Sequence, residues 1–206
     1  MLVQLIGMLD SPFVRRAAIT AQFLGLAYEH RPLSVFRNYD DIRKINPLVK
    51  VPTLVCDDGV VLVDSTLIID YFESIGPAER SLMPADPAAR RRVLQLVGIS
   101  LIAMEKTVAF IYETKQRPIE LQHEPWIVRV DQQLAGALHL LSEHVANGKR
   151  WLAGARITQA DVSVAVAWRF VRHIRPEAAP LDEFEGLARF GEKAEALPEF
   201  LACPFE

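Results

Sequence analysis

The first part of the chain alternates between short apolar runs and segments with helical periodicity. Residues 2–6 and 28–33 are predicted to be strands, because both are short and rich in apolar or alternating side chains. A helix is predicted over residues 12–24, ending at Gly25, which is a typical residue just after a helix. Residues 38–45 are short and polar, and they predict a brief helical turn.

A hairpin and a third helix follow. Pro52 opens an apolar run over residues 53–56, and proline is tolerated at the first position of a strand. Asp58-Gly59 then reverses the chain into residues 60–63, since Asp-Gly readily supplies the positive φ values of a hairpin turn. After Asp64-Ser65 the apolar residues recur at helical spacing, so this pair lies at a helix N-terminus. The pattern predicts a β-α-β unit followed by a β-β-α unit.

Beyond a proline-rich stretch, the pattern is helical throughout. Residues 77–87 contain three prolines and little periodic apolar content, which indicates a linker. Two long amphipathic helices are predicted around residues 93–111 and 127–145, joined near residues 118–125.

A further segment, residues 162–171, has almost no polar face, as expected of a helix that is buried on all sides. Thr158 and Asp161 have the spacing of a capping box, with Asp in place of the usual Glu, and Ile157 can pack on Val162 as a hydrophobic staple. Loss of such a cap costs about 0.5–2 kcal/mol. We expect the upper part of that range, because a buried helix end has no water to replace the cap.

Composition and charge exclude several classes of function. The net charge of −3 and the interspersed charges leave no basic stripe for nucleic acid. Residues 2–9 read as a buried first strand rather than a signal peptide, and no apolar run approaches the ~20 residues of a membrane span. Cys56 and Cys203 form no CxxC pair, and Cys56 is predicted to be a small buried hydrophobe. The five histidines have no metal-ligand spacing. We therefore expect a cytoplasmic protein without metal, membrane or nucleic acid.

Several motifs together resemble the cytosolic glutathione transferases of the Ser-type, bacterial-like kind. They are the Ser11-Pro12-Phe13 start of the first helix, Asn46-Pro47, Val51-Pro52, Asp64-Ser65 and the segment over residues 154–161. The resemblance covers nearly the whole chain. It implies an α/β thioredoxin-like N-terminal domain over residues 1–77, a linker over 78–87 and an all-α C-terminal helical domain over 88–206. It also implies a homodimer. No tyrosine of the sequence lies near the end of the first strand, which excludes a Tyr-type transferase.

The resemblance assigns the catalytic role to Ser11. Glutathione is the co-substrate, and its thiol, like a free cysteine, is only a few per cent thiolate at neutral pH. A serine hydroxyl that donates to the sulfur, together with the positive end of the first helix, would favour the thiolate. The alternative is that Ser11 only caps this helix, before Pro12 at its first position.

The same resemblance assigns the glutathione contacts. Val51-Pro52 is expected to be cis and to turn the Val51 backbone towards the cysteinyl part of glutathione, whereas a trans proline at an edge strand is the alternative. Asp64 and Ser65 would hold the γ-glutamyl end, or would simply cap the third helix. Lys50 would reach the glycyl carboxylate, or be a solvated surface lysine. Phe13 would pack beside the thiol, or belong to the core.

Two positions depart from the family pattern. Val49 stands where many members have glycine, and Asn38 lies in a region that often supplies a cation for the glycyl end. Arg37 or Arg43 would compensate for Asn38. The departures predict weaker glutathione binding than is usual in the family.

The second substrate is assigned only as a small hydrophobic electrophile. By resemblance its pocket involves Met8, Leu9, Met104, Val108 and Tyr112, although helical spacing also places some of these residues in the core. Three hypotheses stay open: a conjugating glutathione transferase, a glutathione-dependent isomerase, reductase or dehalogenase, and a catalytically silent transferase-like binding protein. Intact Ser11 and Asp64-Ser65 argue against the silent protein.

Overall fold

A computed structural model describes residues 2–145 and 150–205 of the chain. The first part contains a four-stranded mixed sheet built from β1 (Gln4–Ile6), β2 (Glu29–Arg31), β3 (Thr53–Val55) and β4 (Val61–Val63), in the order β2-β1-β3-β4. β1 pairs parallel to β2 and antiparallel to β3, and β3 pairs antiparallel to β4. Each strand is shorter than predicted, because only three residues of each take part in the ladder.

Three helices belong to this sheet: α1 (Pro12–Leu24), α2 (Tyr39–Ile45) and α3 (Ser65–Ile75). The predicted bounds of α1 are confirmed. Gly25 ends it in the left-handed region at φ 69°, and its N–H bonds to the carbonyls of Ala21 and Gln22. Glycine takes this conformation without the steric cost that a Cβ would impose.

The second part is helical. It contains α4 (Pro87–Ile111), a π-helical turn (Tyr112–Gln116), α5 (Glu124–Val145), α6 (Gln159–Ile174) and α7 (Glu185–Glu195), and a short α8 (Pro198–Leu201) follows. α4 begins earlier than the apolar pattern indicated, since the Asp86 side chain accepts from the Ala89 N–H at 2.7 Å and Pro87 takes the first helical position.

The buried helix α6 has the predicted capping box. The Asp161 carboxylate accepts from the Thr158 N–H at 2.7 Å, from the Thr158 hydroxyl at 2.8 Å and from the Leu152 N–H at 2.8 Å. Burial nevertheless raises the pKa of Asp161, and these hydrogen bonds oppose that shift. The Asp161 carboxylate has no solvent exposure, so its hydrogen bonds come from these three donors of the protein and not from water.

The chain divides into two compact units, residues 1–83 with 196–206, and residues 84–195. The C-terminal segment thus groups with the sheet. Nε of the buried Arg15 on α1 donates to the Cys203 carbonyl at 2.8 Å, and its guanidinium lies 5.8 Å and 5.9 Å from the ring centroids of Phe200 and Phe205. The apolar pattern gave no indication of this grouping.

Among residues 2–145 and 150–205, one helix, Pro87–Gln116, is long and apolar enough to cross a membrane by length and composition alone. The sequence pattern predicts no apolar run of such length. A core helix of a soluble protein has the same length and composition.

Candidate active site

Ser11 lies at the N-cap of α1, as predicted. Its hydroxyl oxygen accepts from the Val14 N–H at 3.5 Å, which is at the long limit of a hydrogen bond. The hydroxyl hydrogen has no acceptor among residues 2–145 and 150–205. Ser11 can therefore cap the helix and still donate to a sulfur atom, so the two predicted roles are compatible in this geometry.

Gly7 allows the end of β1 to pack closely against its neighbours. It has φ 132°, and a Cβ at this position would lie 2.4 Å from Cγ2 of Val14 and 2.9 Å from Cβ of Val51. Both distances are shorter than real Cβ contacts. Val14, in the first turn of α1, and Val51 therefore both lie against Gly7.

The Val51-Pro52 peptide bond is cis, as predicted. The loop before it is organised by the buried Asn46, whose side-chain NH₂ donates to Oγ1 of Thr53 at 2.9 Å while its Oδ1 accepts from the Leu48 N–H at 3.0 Å. Oγ1 of Thr53 in turn donates to the Lys50 carbonyl at 2.6 Å. Within the described part of the chain, no hydrogen bond engages the N–H or carbonyl of Val51.

Val49, which stands where many family members have glycine, has φ 48°. A β-branched residue is a rare occupant of this left-handed region, because its Cβ crowds the following carbonyl. Val49 therefore adopts, at a steric cost, a backbone conformation that glycine would adopt freely.

Asp64 and Ser65 form the N-terminus of α3. Asp64 is the N-cap, with φ 72° and ψ 127°, and its Oδ1 accepts from the Thr66 N–H at 2.7 Å. Such a backbone conformation is strained for any residue other than glycine, and strain of this kind clusters at ligand sites. Asp64 is exposed, whereas Ser65 is only 2% exposed.

Arg16 is a residue of this site that the sequence did not reveal. It is 1% exposed, and its Nη1 donates to Oγ of Ser65 at 2.9 Å and to Oγ1 of Thr66 at 3.2 Å. Its Nε is buried without a partner among the described residues. Burial lowers the pKa of Arg16 to about 10, and the nearby Asp64 carboxylate partly offsets that shift. A buried cation therefore lies directly behind the Asp64-Ser65 pair.

The other predicted site residues differ in exposure. Phe13 is half-buried at the second position of α1, and Lys50 is exposed. Met8 and Val108 are also half-buried, while Leu9 is 5% exposed and Tyr112 is 48% exposed.

Met104 has no solvent exposure, which favours the core role that its helical spacing also indicated. Among residues 2–145 and 150–205, no group of three or more His, Cys, Asp or Glu side chains is arranged to hold a metal.

Comparison with known proteins identifies both parts of the chain. Residues 5–80 match the model of the glutathione S-transferase N-terminal domain, and residues 102–198 match the model of its C-terminal domain. A maleylacetoacetate isomerase of Pseudomonas aeruginosa is 28% identical over 90% of this chain and 87% of its own length.

Several solved structures share the fold. A glutathione S-transferase of Methylobacterium radiotolerans, in complex with glutathione sulfonate, is 23% identical with a TM-score of 0.91, covering 100% of this chain and 96% of that one. A glutathione transferase family member from Pseudomonas fluorescens, with bound glutathione, is 26% identical with a TM-score of 0.81, covering 98% of each chain. The predicted fold class, a thioredoxin-like N-terminal domain followed by a helical domain, is confirmed, and the chain belongs to the glutathione S-transferase family.

Proposed function

We propose that this protein is a glutathione transferase that binds glutathione, stabilises its thiolate with Ser11 and conjugates it to a small hydrophobic electrophile. The observation that carries the proposal is that two residues lie against Gly7: Val14, in the first turn of the helix that Ser11 caps, and Val51, whose N–H and carbonyl make no hydrogen bond within the described residues. Glutathione bound along Val51 like an added strand would bring its sulfur towards the first turn of α1.

Ser11 would act on the protonation of the thiol. A hydrogen bond to a charged group contributes roughly 1.5–3 kcal/mol, which corresponds to a pKa lower by about one to two units. Starting from a thiol pKa near ~8.5, this converts a few per cent of thiolate at neutral pH into a large fraction. The thiolate then forms the new bond to carbon.

Asp64, Ser65 and Arg16 would hold the γ-glutamyl end. The exposed Asp64 carboxylate suits the ammonium group, while the N-terminus of α3 suits the carboxylate. Arg16 orients the Ser65 hydroxyl by donating to its oxygen at 2.9 Å, which leaves the hydroxyl hydrogen for the ligand. Lys50, exposed beside Val51, would reach the glycyl carboxylate, and Phe13 would border the thiol.

The decisive test is the ultraviolet absorbance of the bound thiolate as a function of pH. In Ser11→Ala and Ser11→Gly we expect glutathione affinity within a few-fold of the parent, a thiol pKa higher by about one to two units and conjugation slower by about one to two orders of magnitude. Glycine is the matched control for capping, because it is tolerated at an N-cap and alanine is not. Ser11→Thr, which keeps the hydroxyl, should titrate like the parent.

Unchanged titration in both the alanine and glycine variants would reduce Ser11 to a helix cap. Failure of the parent to be retained on glutathione resin would instead favour a silent binding protein.

The second candidate is a glutathione-dependent isomerase, because the matched Pseudomonas aeruginosa relative is named maleylacetoacetate isomerase. The same Ser11-supported thiolate would add to the substrate and leave again, so glutathione would not be consumed. Assay of maleylacetoacetate alongside aryl halides separates the two: isomerisation without loss of free thiol supports the isomerase.

We also propose that the protein is a cytoplasmic homodimer with a role in detoxification. The exposed apolar residues on α3 and α4 support an assembly; they include Leu67, Ile75 and Leu94, which are 61%, 48% and 51% exposed. Sedimentation at micromolar concentration should give twice the monomer mass of 23.1 kDa. A monomer alone would contradict the dimer.

A further inference from the structure

His30 on β2 holds the backbone at the end of β1. Its Nε2 lies 2.8 Å from the carbonyl oxygen of Gly7. A carbonyl oxygen only accepts hydrogen bonds, so Nε2 carries the hydrogen and donates it. The Gly7 N–H donates to the Arg31 carbonyl at 3.0 Å. Both backbone polar groups of the buried Gly7 are therefore held by neighbouring residues of β2.

The bond from His30 acts on the turn that precedes Ser11. Because a peptide unit is planar, the Gly7 carbonyl and the Met8 N–H rotate together, so this bond fixes the direction in which the chain enters the turn. At the other end of the turn, the Met8 carbonyl accepts from the Ser11 N–H at 3.2 Å. Two hydrogen bonds and one short turn thus connect the His30 imidazole to the backbone of Ser11.

Gly7 needs such a tie more than another residue would. Glycine has more backbone freedom than any other residue, and Gly7 takes φ 132°, a conformation that L side chains rarely adopt. Loss of the His30 donor would leave the buried carbonyl short of a hydrogen bond, and rotation of the peptide towards water would restore one. The His30 bond therefore selects the orientation of the peptide between Gly7 and Met8.

The other side chains of β2 are engaged on the opposite face of the sheet, because successive side chains of a strand alternate. On that face, Gln4 donates to Glu29 at 2.8 Å and accepts from Arg31 at 3.3 Å. His30 pairs in register with the fully buried Leu5 and takes the other face. Its contact with Gly7 is thus separate from the polar network of its neighbours.

Two charged side chains border the turn before Ser11. Asp10 lies within it and is exposed, and Nη2 of Arg37 lies 2.9 Å from Sδ of Met8. Both charges are the same in any two variants that replace His30 with a neutral side chain. A difference between two such variants therefore reports on the hydrogen bond to Gly7 and not on charge.

We infer that His30 is a positioning residue for the reaction. By holding the Gly7 carbonyl it sets the turn from which the Ser11 hydroxyl donates to the glutathione sulfur. A hydrogen bond weakens steeply as its angle departs from linearity, so a rotation of this turn lowers the stabilisation of the thiolate. His30 acts through Ser11 and not on the ligand, and the inference rests on the proposed function.

Two neutral variants of His30 provide the test. The amide nitrogen of glutamine lies as many bonds from the backbone as Nε2 of histidine, so His30→Gln keeps a donor for Gly7, whereas the side chain of His30→Asn is one bond too short. We expect His30→Asn to raise the thiol pKa of bound glutathione by about half to one unit and to lower kcat by about three- to tenfold. KM for glutathione should stay within about twofold. His30→Gln should behave like the parent.

Combination with Ser11→Ala separates positioning from a general structural effect. Because His30 acts through Ser11, His30→Asn should not raise the thiol pKa further once the hydroxyl is absent. Equal increases in the parent and Ser11→Ala backgrounds would overturn the inference. A His30→Asn variant that titrates like the parent would overturn it as well.

Glu29→Ala is the matched control. It removes a side-chain hydrogen bond from the same strand, on the opposite face of the sheet, without touching Gly7. The thiol pKa of bound glutathione should stay unchanged in this variant. A rise equal to that in His30→Asn would assign the effect to a general loosening of β2 and contradict the role of His30.

Amide hydrogen exchange without glutathione tests the positioning directly. The Ser11 N–H, which is bonded to the Met8 carbonyl, should exchange faster by about threefold or more in His30→Asn and at the parent rate in His30→Gln. Unchanged exchange in His30→Asn would contradict the inference. If the parent binds no glutathione, the proposed function fails and the role of His30 with it. If the Ser11 variants behave as proposed and the His30 variants do not, only the role of His30 fails.

Discussion

Ser65→Ala should destabilise the first unit as well as weaken glutathione binding. The substitution removes one of two hydroxyl acceptors of the buried Arg16, the one at 2.9 Å, and leaves Thr66 at 3.2 Å. Nε of Arg16 already lacks a partner among the described residues, so the buried guanidinium has one unsatisfied donor before the substitution. A hydrogen bond to a charged group contributes about 1.5–3 kcal/mol. Because the bond to Thr66 survives, we expect the free energy of unfolding to fall by about 2 kcal/mol.

The assay must report on the first unit. All three tryptophans, Trp126, Trp151 and Trp168, belong to residues 84–195, so their fluorescence follows the helical unit. Amide hydrogen exchange of α1 and α3 in urea is therefore the appropriate measurement. With a urea dependence of about 2 kcal/mol per molar, the midpoint of these helices should fall by about 1 M.

Thr66→Val is the matched control, because it removes the longer hydrogen bond of Arg16, which is to an exposed residue. It should lower the free energy of unfolding by less than Ser65→Ala does. The double variant should lose more than the sum of the single variants, since Nη1 then has no acceptor. An unchanged midpoint in Ser65→Ala would refute the reasoning, because it would mean that Ser65 does not hold Arg16 in solution. Glutathione affinity of Ser65→Ala should fall by about one to two orders of magnitude in calorimetry.

Three further predictions concern single side chains. Asp64→Asn keeps an effective N-cap and removes the charge, so glutathione should bind about tenfold more weakly, and equal affinity would exclude Asp64 from the site; the unfolding midpoint should fall slightly, because the carboxylate also favours the charged form of the buried Arg16. Val49→Gly should raise stability by about 0.5–1 kcal/mol in urea unfolding, because relief of about 1–2 kcal/mol of left-handed strain exceeds the entropic cost of glycine, and a lower midpoint would contradict this. For Asp161, burial raises the pKa above its ordinary value of 3.8, so the folded state binds the proton more tightly than the unfolded chain. The stability of the parent relative to Asp161→Asn should therefore rise as the pH falls from 7 through the raised pKa towards that ordinary value, and a difference independent of pH would show that the pKa is unshifted.

Features set by neighbouring residues could be predicted from the sequence. The bounds of α1 depend on Ser11 and Pro12 at one end and Gly25 at the other, and all of these act within one helical turn. The capping box of Thr158 and Asp161 is equally local. The hairpin and the Asp64 cap followed from the same kind of evidence.

Features set by distant residues could not be predicted in this way. Arg16 follows Arg15 in a helix, and long charged side chains are normally expected at the surface. Its acceptor Ser65 lies 49 residues further along the chain, so only the tertiary structure reveals the pair. Arg37 and Met8, separated by 29 residues, are a second example. The strand lengths likewise depend on how many residues the partner strand offers.

The docking of the C-terminal segment has a consequence for the order of synthesis. Arg15 on α1 donates to the Cys203 carbonyl, 188 residues further along the chain. A ribosome therefore makes the whole of residues 84–195 before it makes the residues that complete the packing of α1. Until then the sheet and its helices lack the contact with Phe200, whose ring packs edge-on against Phe23 with 6.4 Å between the ring centroids. The helix that Ser11 caps thus reaches its final packing only after residues 84–195 have been synthesised, so the candidate site at its N-terminus is completed after them.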